Sequence, residues 1–215
     1  RLGGSILAQV FSRFGNTAPD VDSPVLLKGF FNAIQSLNSQ QLILAYHDRS
    51  DGGLFATVCE MAFAGRCGVT VNLDELVFDR WSDDVDGFKR SNDEQLAGRL
   101  RERALQAMFA EELGAVIQIR ATDRGKVMDL LRSFQLGNCS FVLGFLNSRD
   151  EIALTRGAKP MFRETRVELQ RAWSETSFRM QQLRDNPECA QEEYDRILDT
   201  KDPGISLQLS FTPKK

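Results

Sequence analysis

Two apolar runs late in the chain, residues 151–155 and 160–164, are separated only by Arg156-Gly157-Ala158-Lys159. A joint that short, with a glycine in it, turns the second run back antiparallel against the first. The feature constrains the fold because the sequence before it reads differently. Upstream, strand-like and helix-like runs alternate, which is the pattern of a parallel sheet. A sheet of that kind closed by a hairpin is not purely parallel. Residues 1–165 are therefore expected to form an α+β layered domain. Residues 166–215 are expected to form a helical and extended connector, too small to bury much by itself.

Local signals place the elements. Ser5 caps a helix through Ile6, Leu7, Val10 and Phe14 that Gly15 would stop. Ser23-Pro24 is a cap followed by proline at the first helical position, and Leu26, Leu27, Phe30, Phe31, Ile34 and Leu37 recur at helical spacing. Leu42–Tyr46 reads as a buried strand, residues 47–53 as a polar loop, and Leu54 to about Ala64 as an apolar helix broken at Gly65. Strands are expected at 68–73, 115–120 and 140–144, with a helix over 123–135. Between them, residues 74–106 are strongly charged and read as a surface insertion with a partly helical end. In the last fifty residues, 166–184 form a helix, Asn186-Pro187 starts another, and 205–211 alternate as a strand.

Composition narrows the classes of function. A net charge of -3 and a pI near 5.4 give no general attraction to nucleic acid or anionic membrane. No apolar run reaches the roughly 20 residues that span a bilayer, and no signal-peptide pattern is present. The chain opens Arg1-Leu2-Gly3-Gly4 without a methionine, which suggests a segment of a longer protein. Cys59, Cys67, Cys139 and Cys189 lack the close spacing of zinc or redox pairs and read as reduced thiols of a cytoplasmic protein.

The segment richest in chemistry is Tyr46-His47-Asp48-Arg49-Ser50-Asp51-Gly52-Gly53, between a strand and a helix. Asp48 and Asp51 are hard oxygen donors suited to Mg²⁺, which is commonly held by one or two carboxylates and substrate phosphates. Ser50 offers a hydroxyl to a phosphate oxygen, and Gly52-Gly53 lets backbone amides at a helix start approach an anion. A plain strand–turn–helix connection would use the same residues. It is not a Walker loop, for no lysine follows the glycines. His47 is the only histidine and reads as a scaffold residue rather than a general base, so no residue is assigned as catalytic. Glu111-Glu112 reads as a helix end, and Trp173 as an aromatic packed on a neighbouring layer.

Long blocks of the chain resemble the phosphoribosylformylglycinamidine synthase family in its single-chain form. They are RLGGSILAQVFSRFGNTAPDVDSP at 1–24, AYHDRSDGGLFATVCEMAFAGRCGV at 45–69 and FAEELGAVIQIRATDR at 109–124. RAWSETSFRMQQLRDNPECAQEEYD at 171–195 and KDPGISLQLSF at 201–211 continue the likeness, while the stretch around 77–103 is longer than the family's usual connection. The resemblance implies a three-layer α/β/α fold with a mixed sheet, like the C-terminal domain of aminoimidazole ribonucleotide synthetase. It implies part of a ligase that uses ATP and glutamine to make formylglycinamidine ribonucleotide in de novo purine synthesis. This chain would be the C-terminal domain of the second synthetase-like half plus the segment before a glutaminase domain, and those remaining domains would be its partners. Asp48 is then expected to ligate Mg²⁺ and Ser50 to contact ATP or ADP, in a site that in such enzymes holds an auxiliary nucleotide. The alternatives are another ATP-using enzyme of the same superfamily, or a non-catalytic module that only contacts neighbouring domains.

Overall fold

The computed structural model describes residues 1–77, 93–157, 159–201 and 207–212. The centre of the charged stretch, Ala158 of the hairpin turn, and the first two residues of the strand expected at 205–211 lie outside the described residues. The chain divides into two compact units, Arg1–Arg166 and Val167–Lys215.

In the first unit the helices are α1 (Ile6–Val10), α2 (Pro24–Ser39), α3 (Gly53–Gly65), α4 (Asp74–Val77), α5 (Asp93–Phe109) and α6 (Arg124–Ser133). The strands are β1 (Ala45–Asp48), β2 (Gly68–Asn72), β3 (Ala115–Gln118), β4 (Gly144–Asn147), β5 (Glu151–Arg156) and β6 (Lys159–Thr165). β1 and β3 form an antiparallel pair, and the other four strands form one sheet in the order β4-β2-β5-β6. β2 and β5 run parallel, while β4 and β6 pair antiparallel to their neighbours. The sheet is mixed and the class is α+β. At the hairpin Arg156 faces Lys159, and Gly157 takes the left-handed conformation the turn needs, with φ 56°.

Helix α3 lies at the centre. Its Leu54, Thr57, Val58, Cys59, Ala62 and Phe63 are all buried, because it packs against both sheets and against α5. A helix covered on several sides is apolar around most of its girth. Leu54 and Val58 join Val71, Leu73, Val77, Ala104, Met108 and Leu154 in the main core. Phe55 braces it at the edge, 5.6 Å from Phe109 and 5.5 Å from Phe162. Val77 and Ala104 belong to the charged stretch 74–106, so its two ends enter the core. A second cluster sets Leu37 of α2 and Val127 of α6 against Leu42, under the β1–β3 pair.

The structure moves several elements. α1 stops at Val10 instead of reaching Phe14. The chain there folds back, with Gly3 N donating to the Thr17 carbonyl and Gly4 N to that of Phe14. β1 starts at Ala45, so His47 and Asp48 are strand residues and not loop. Leu42 is spent on the second cluster before the strand begins. β4 falls at 144–147 and not 140–144, because a 3₁₀ turn at Gly137–Cys139 and the bond from Ser140 Oγ to the Leu136 carbonyl use up the residues before it. Residues 207–212 form no strand.

The second unit holds α7 (Arg166–Arg184) and α8 (Pro187–Asp195). Asn186 caps α8 by accepting from the Glu188 and Cys189 amides. Phe178 stacks on Tyr194 with ring centres 4.2 Å apart, and Arg171 covers the other face of the pair at 4.0 Å from the Tyr194 ring. Trp173, by contrast, is 61% exposed.

Candidate functional site

The segment from Asp48 to Gly53 leaves the end of β1 and enters α3 through a reversal made by two glycines. Gly52 and Gly53 have φ of 80° and 67°. A side chain at Gly53 would also strike the backbone of Met108 and Phe109, with a Cβ 2.7–2.8 Å from their atoms. Glycine is required here by conformation and by space together.

The side chains of Asp48, Ser50 and Asp51 are exposed, and Asp48 keeps 66% of its side chain in solvent. His47 points the other way, half-buried. Its Nδ1 lies 2.8 Å from the Asp48 carbonyl oxygen and its Nε2 lies 2.8 Å from Glu60 Oε2. Held between oxygens of β1 and α3, it ties the strand to the helix. Burial, with the Asp48 charge adding to it, pushes the Tyr46 phenol up.

The segment that holds this loop is the one whose pattern reads as a helix end, Glu111-Glu112 and its neighbours. Arg49 N donates to the Gly114 carbonyl at 2.8 Å, and its guanidinium donates to the carbonyls of Glu112 and Leu113 at 2.7 and 3.0 Å. Burial pushes that guanidinium below its ordinary value. Glu111 Oε1 accepts from Gly52 N at 2.8 Å and from Ile6 N at 2.9 Å. Glu112 grips Arg1, whose Nε and Nη2 reach its two oxygens at 2.6 and 2.7 Å. Hydrogen bonds from Arg1 hold the Glu112 carboxyl down at about 2. Paired carboxylates beside a glycine, just before a strand, were the visible signal. Their partners lie too far along the chain to be read.

The arrangement also limits how an anion can bind. Gly52 N is taken by Glu111 and Gly53 N by the Ser50 carbonyl, so these two amides are not open to a phosphate. Exposed beside them are the Asp48 carboxylate and the Ser50 and Asp51 side chains. Among the described residues no group of three or more His, Cys, Asp or Glu could hold a metal ion. One exposed carboxylate fits Mg²⁺ only where phosphates supply other ligands. The Cys59 thiol, pushed up to about 12 chiefly by burial, is no nucleophile. A cleft of about 360 Å³ lies elsewhere, lined by residues that include Glu75, Arg124, Met128, Arg132 and Phe141.

Residues 1–156, nearly three quarters of the chain and the whole of the loop with its braces, match the family described as AIR synthase related protein, C-terminal domain. The chain belongs to that family. Solved structures agree on the fold of this AIR synthase related domain. PurLQS from Thermotoga maritima has a TM-score of 0.51 at 14% identity, over 76% of this chain and 24% of that one. T. maritima PurL complexed with ADP has a TM-score of 0.50 at 14% identity, over 69% of this chain and 22% of that one. The AIR synthase related chain thus spans about a quarter of the length of the chains it matches.

Proposed function

We propose that this chain is part of an ATP-dependent amidotransferase of the phosphoribosylformylglycinamidine synthase type and supplies half of a Mg-nucleotide site to it. In this reading Asp48 ligates Mg²⁺ and Ser50 contacts ATP or ADP. The whole enzyme converts formylglycinamide ribonucleotide, glutamine and ATP to formylglycinamidine ribonucleotide in the cytoplasm. Residues 1–165 are the synthetase-like domain, with 74–106 as its charged insertion, and 166–215 lead toward a glutaminase domain.

The observation that carries the reading is the openness of the loop. Asp48 at the last position of β1 and Ser50 just past it stand exposed, on a backbone fastened from behind by Arg49 and Glu111. An open half-site of this kind is what a domain presents when another part of a longer chain closes over it. ADP in the T. maritima relative supports a nucleotide as the ligand. The blocks at 171–195 and 201–211, beyond the family match, support the single-chain synthase over other ATP-using relatives.

The test is Asp48→Asn in the full-length protein, with bound nucleotide, melting temperature and turnover measured on one preparation. Loss of a coordinating carboxylate beside phosphates removes a ligand bond and charge neutralisation together. Bound nucleotide should fall. A lower melting temperature with near-normal turnover marks an auxiliary nucleotide, through lost ligand linkage. Collapsed turnover in a stable protein marks a catalytic one. Full nucleotide occupancy in the variant sinks the assignment.

A further inference from the structure

We propose that Glu111 is a positioning residue for the Asp48–Gly53 loop, holding the loop and the start of α1 with one carboxylate oxygen; its part in nucleotide binding rests on the function proposed above. The Gly52 and Ile6 amides converge on Glu111 Oε1 at 2.8 and 2.9 Å. They come from distant parts of the chain, so the carboxylate ties the N-terminal segment to the loop.

The loop needs such a tie. With φ of 80° and 67° at Gly52 and Gly53, its reversal is built from residues that have no side chains to fix it. The exposed side chains of Asp48, Ser50 and Asp51 are placed by the backbone that carries them. That backbone is fastened at its first end through Arg49 to the carbonyls of 112–114. It is fastened at its second end through Gly52 to Glu111. Both fastenings lead to the same short segment, itself held to Arg1 through Glu112. A carboxylate suits the post because it is acceptor-only, with lone pairs for two donors at once.

Because Glu111 fills the Gly52 amide and the Ser50 carbonyl fills that of Gly53, a phosphate meets this loop through Mg²⁺ at Asp48 and through the Ser50 hydroxyl, and not through the cap and first amides of α3.

The experiment compares the full-length protein with its Glu111→Ala, Glu111→Gln and Asp48→Asn variants, by amide hydrogen exchange and by calorimetry with MgADP. In Glu111→Ala, exchange should rise together in peptides covering Gly52 and Ile6, and MgADP should bind about tenfold more weakly, as expected when a part-buried and an exposed amide both lose a charged acceptor. Glu111→Gln, whose amide oxygen still accepts, should recover both readouts to within about threefold. Unaltered exchange at Gly52 in Glu111→Ala overturns the anchoring. Raised exchange with unchanged or tighter MgADP binding, beside a weakened Asp48→Asn, overturns the positioning role alone. Undiminished binding in Asp48→Asn overturns the nucleotide reading itself, and the role given to Glu111 goes with it.

Discussion

Glu112 keeps its charge far into acid, and the pH dependence of stability should record it. The Arg1 guanidinium lies on both carboxylate oxygens, and the carboxyl falls from an ordinary value of 4.5 to about 2. A carboxyl depressed in the folded state contributes its full stability above its unfolded pKa and loses it as pH falls through the folded one. Each partner keeps 25% of its side chain in solvent, so solvent screens the pair and its contribution is modest. Glu112→Gln should therefore lower the urea midpoint at pH 7, and the gap to the parent protein should close between about pH 4.5 and pH 2. A gap that stays constant over that range would remove the ion pair from the account. Asp51 is expected to matter less than Asp48. Its side chain is exposed, and α3 is capped at Gly52 with no side-chain bond, so an asparagine there changes little besides charge. Asp51→Asn should retain more bound nucleotide than Asp48→Asn, and an equal or larger loss would reverse the two roles.

At the scale of elements, two glycines on helices make opposite predictions. Gly53→Ala puts a methyl group against the Met108 and Phe109 backbone and forces a left-handed φ on alanine. Backbone strain and overpacking each cost about 1–3 kcal/mol, so the loss should exceed about 2 kcal/mol. Gly125 of α6 has nothing within 4 Å of where a Cβ would stand. Gly125→Ala should stabilise the helix by about 0.5 kcal/mol, since alanine loses less backbone freedom there. Denaturant titration of both variants checks the pair. A neutral Gly53→Ala would mean that α5 does not pack against the start of α3 as described.

At the scale of the molecule, much apolar surface is uncovered. Val25, Leu26, Leu27 and Phe31 of α2 are 40–65% exposed, next in sequence to exposed Val10, Phe11 and Phe14. In the second unit, Trp173, Met180, Leu183, Leu207 and Phe211 are exposed as well. Large apolar side chains exposed in such number mark surface that another protein part covers. The isolated 215-residue chain should bind a hydrophobic dye and self-associate as its concentration rises. Light scattering that gives a strict monomer at high concentration, with no dye binding, would contradict this. Among the described residues no helix is long and apolar enough to cross a membrane, so a bilayer-spanning helix does not account for the exposure.

Local features were legible in the sequence because their causes lie within a few residues. The caps at Ser5, Ser23 and Asn186 bond the amides of Ala8, Leu26 and Glu188. The joint at 156–159 makes its hairpin, and the apolar run at 54–64 makes α3. The place of the Asp48–Gly53 segment between a strand and a helix was visible on the same grounds. Tertiary structure alone decided the rest. Asp48 is a strand residue because β1 pairs Asp48 with Ala115, and a run of apolar residues does not reveal its partner's register. Residues 205–211 alternate like a strand, yet 207–212 form none; alternation makes no ladder without a neighbour to bond. Glu111 and Glu112 looked like the polar end of a helix. They became the brace of the site only when folding brought Gly52, Ile6 and Arg1 to them from 59 to 111 residues away, a distance over which sequence pattern carries no signal and packing carries all of it.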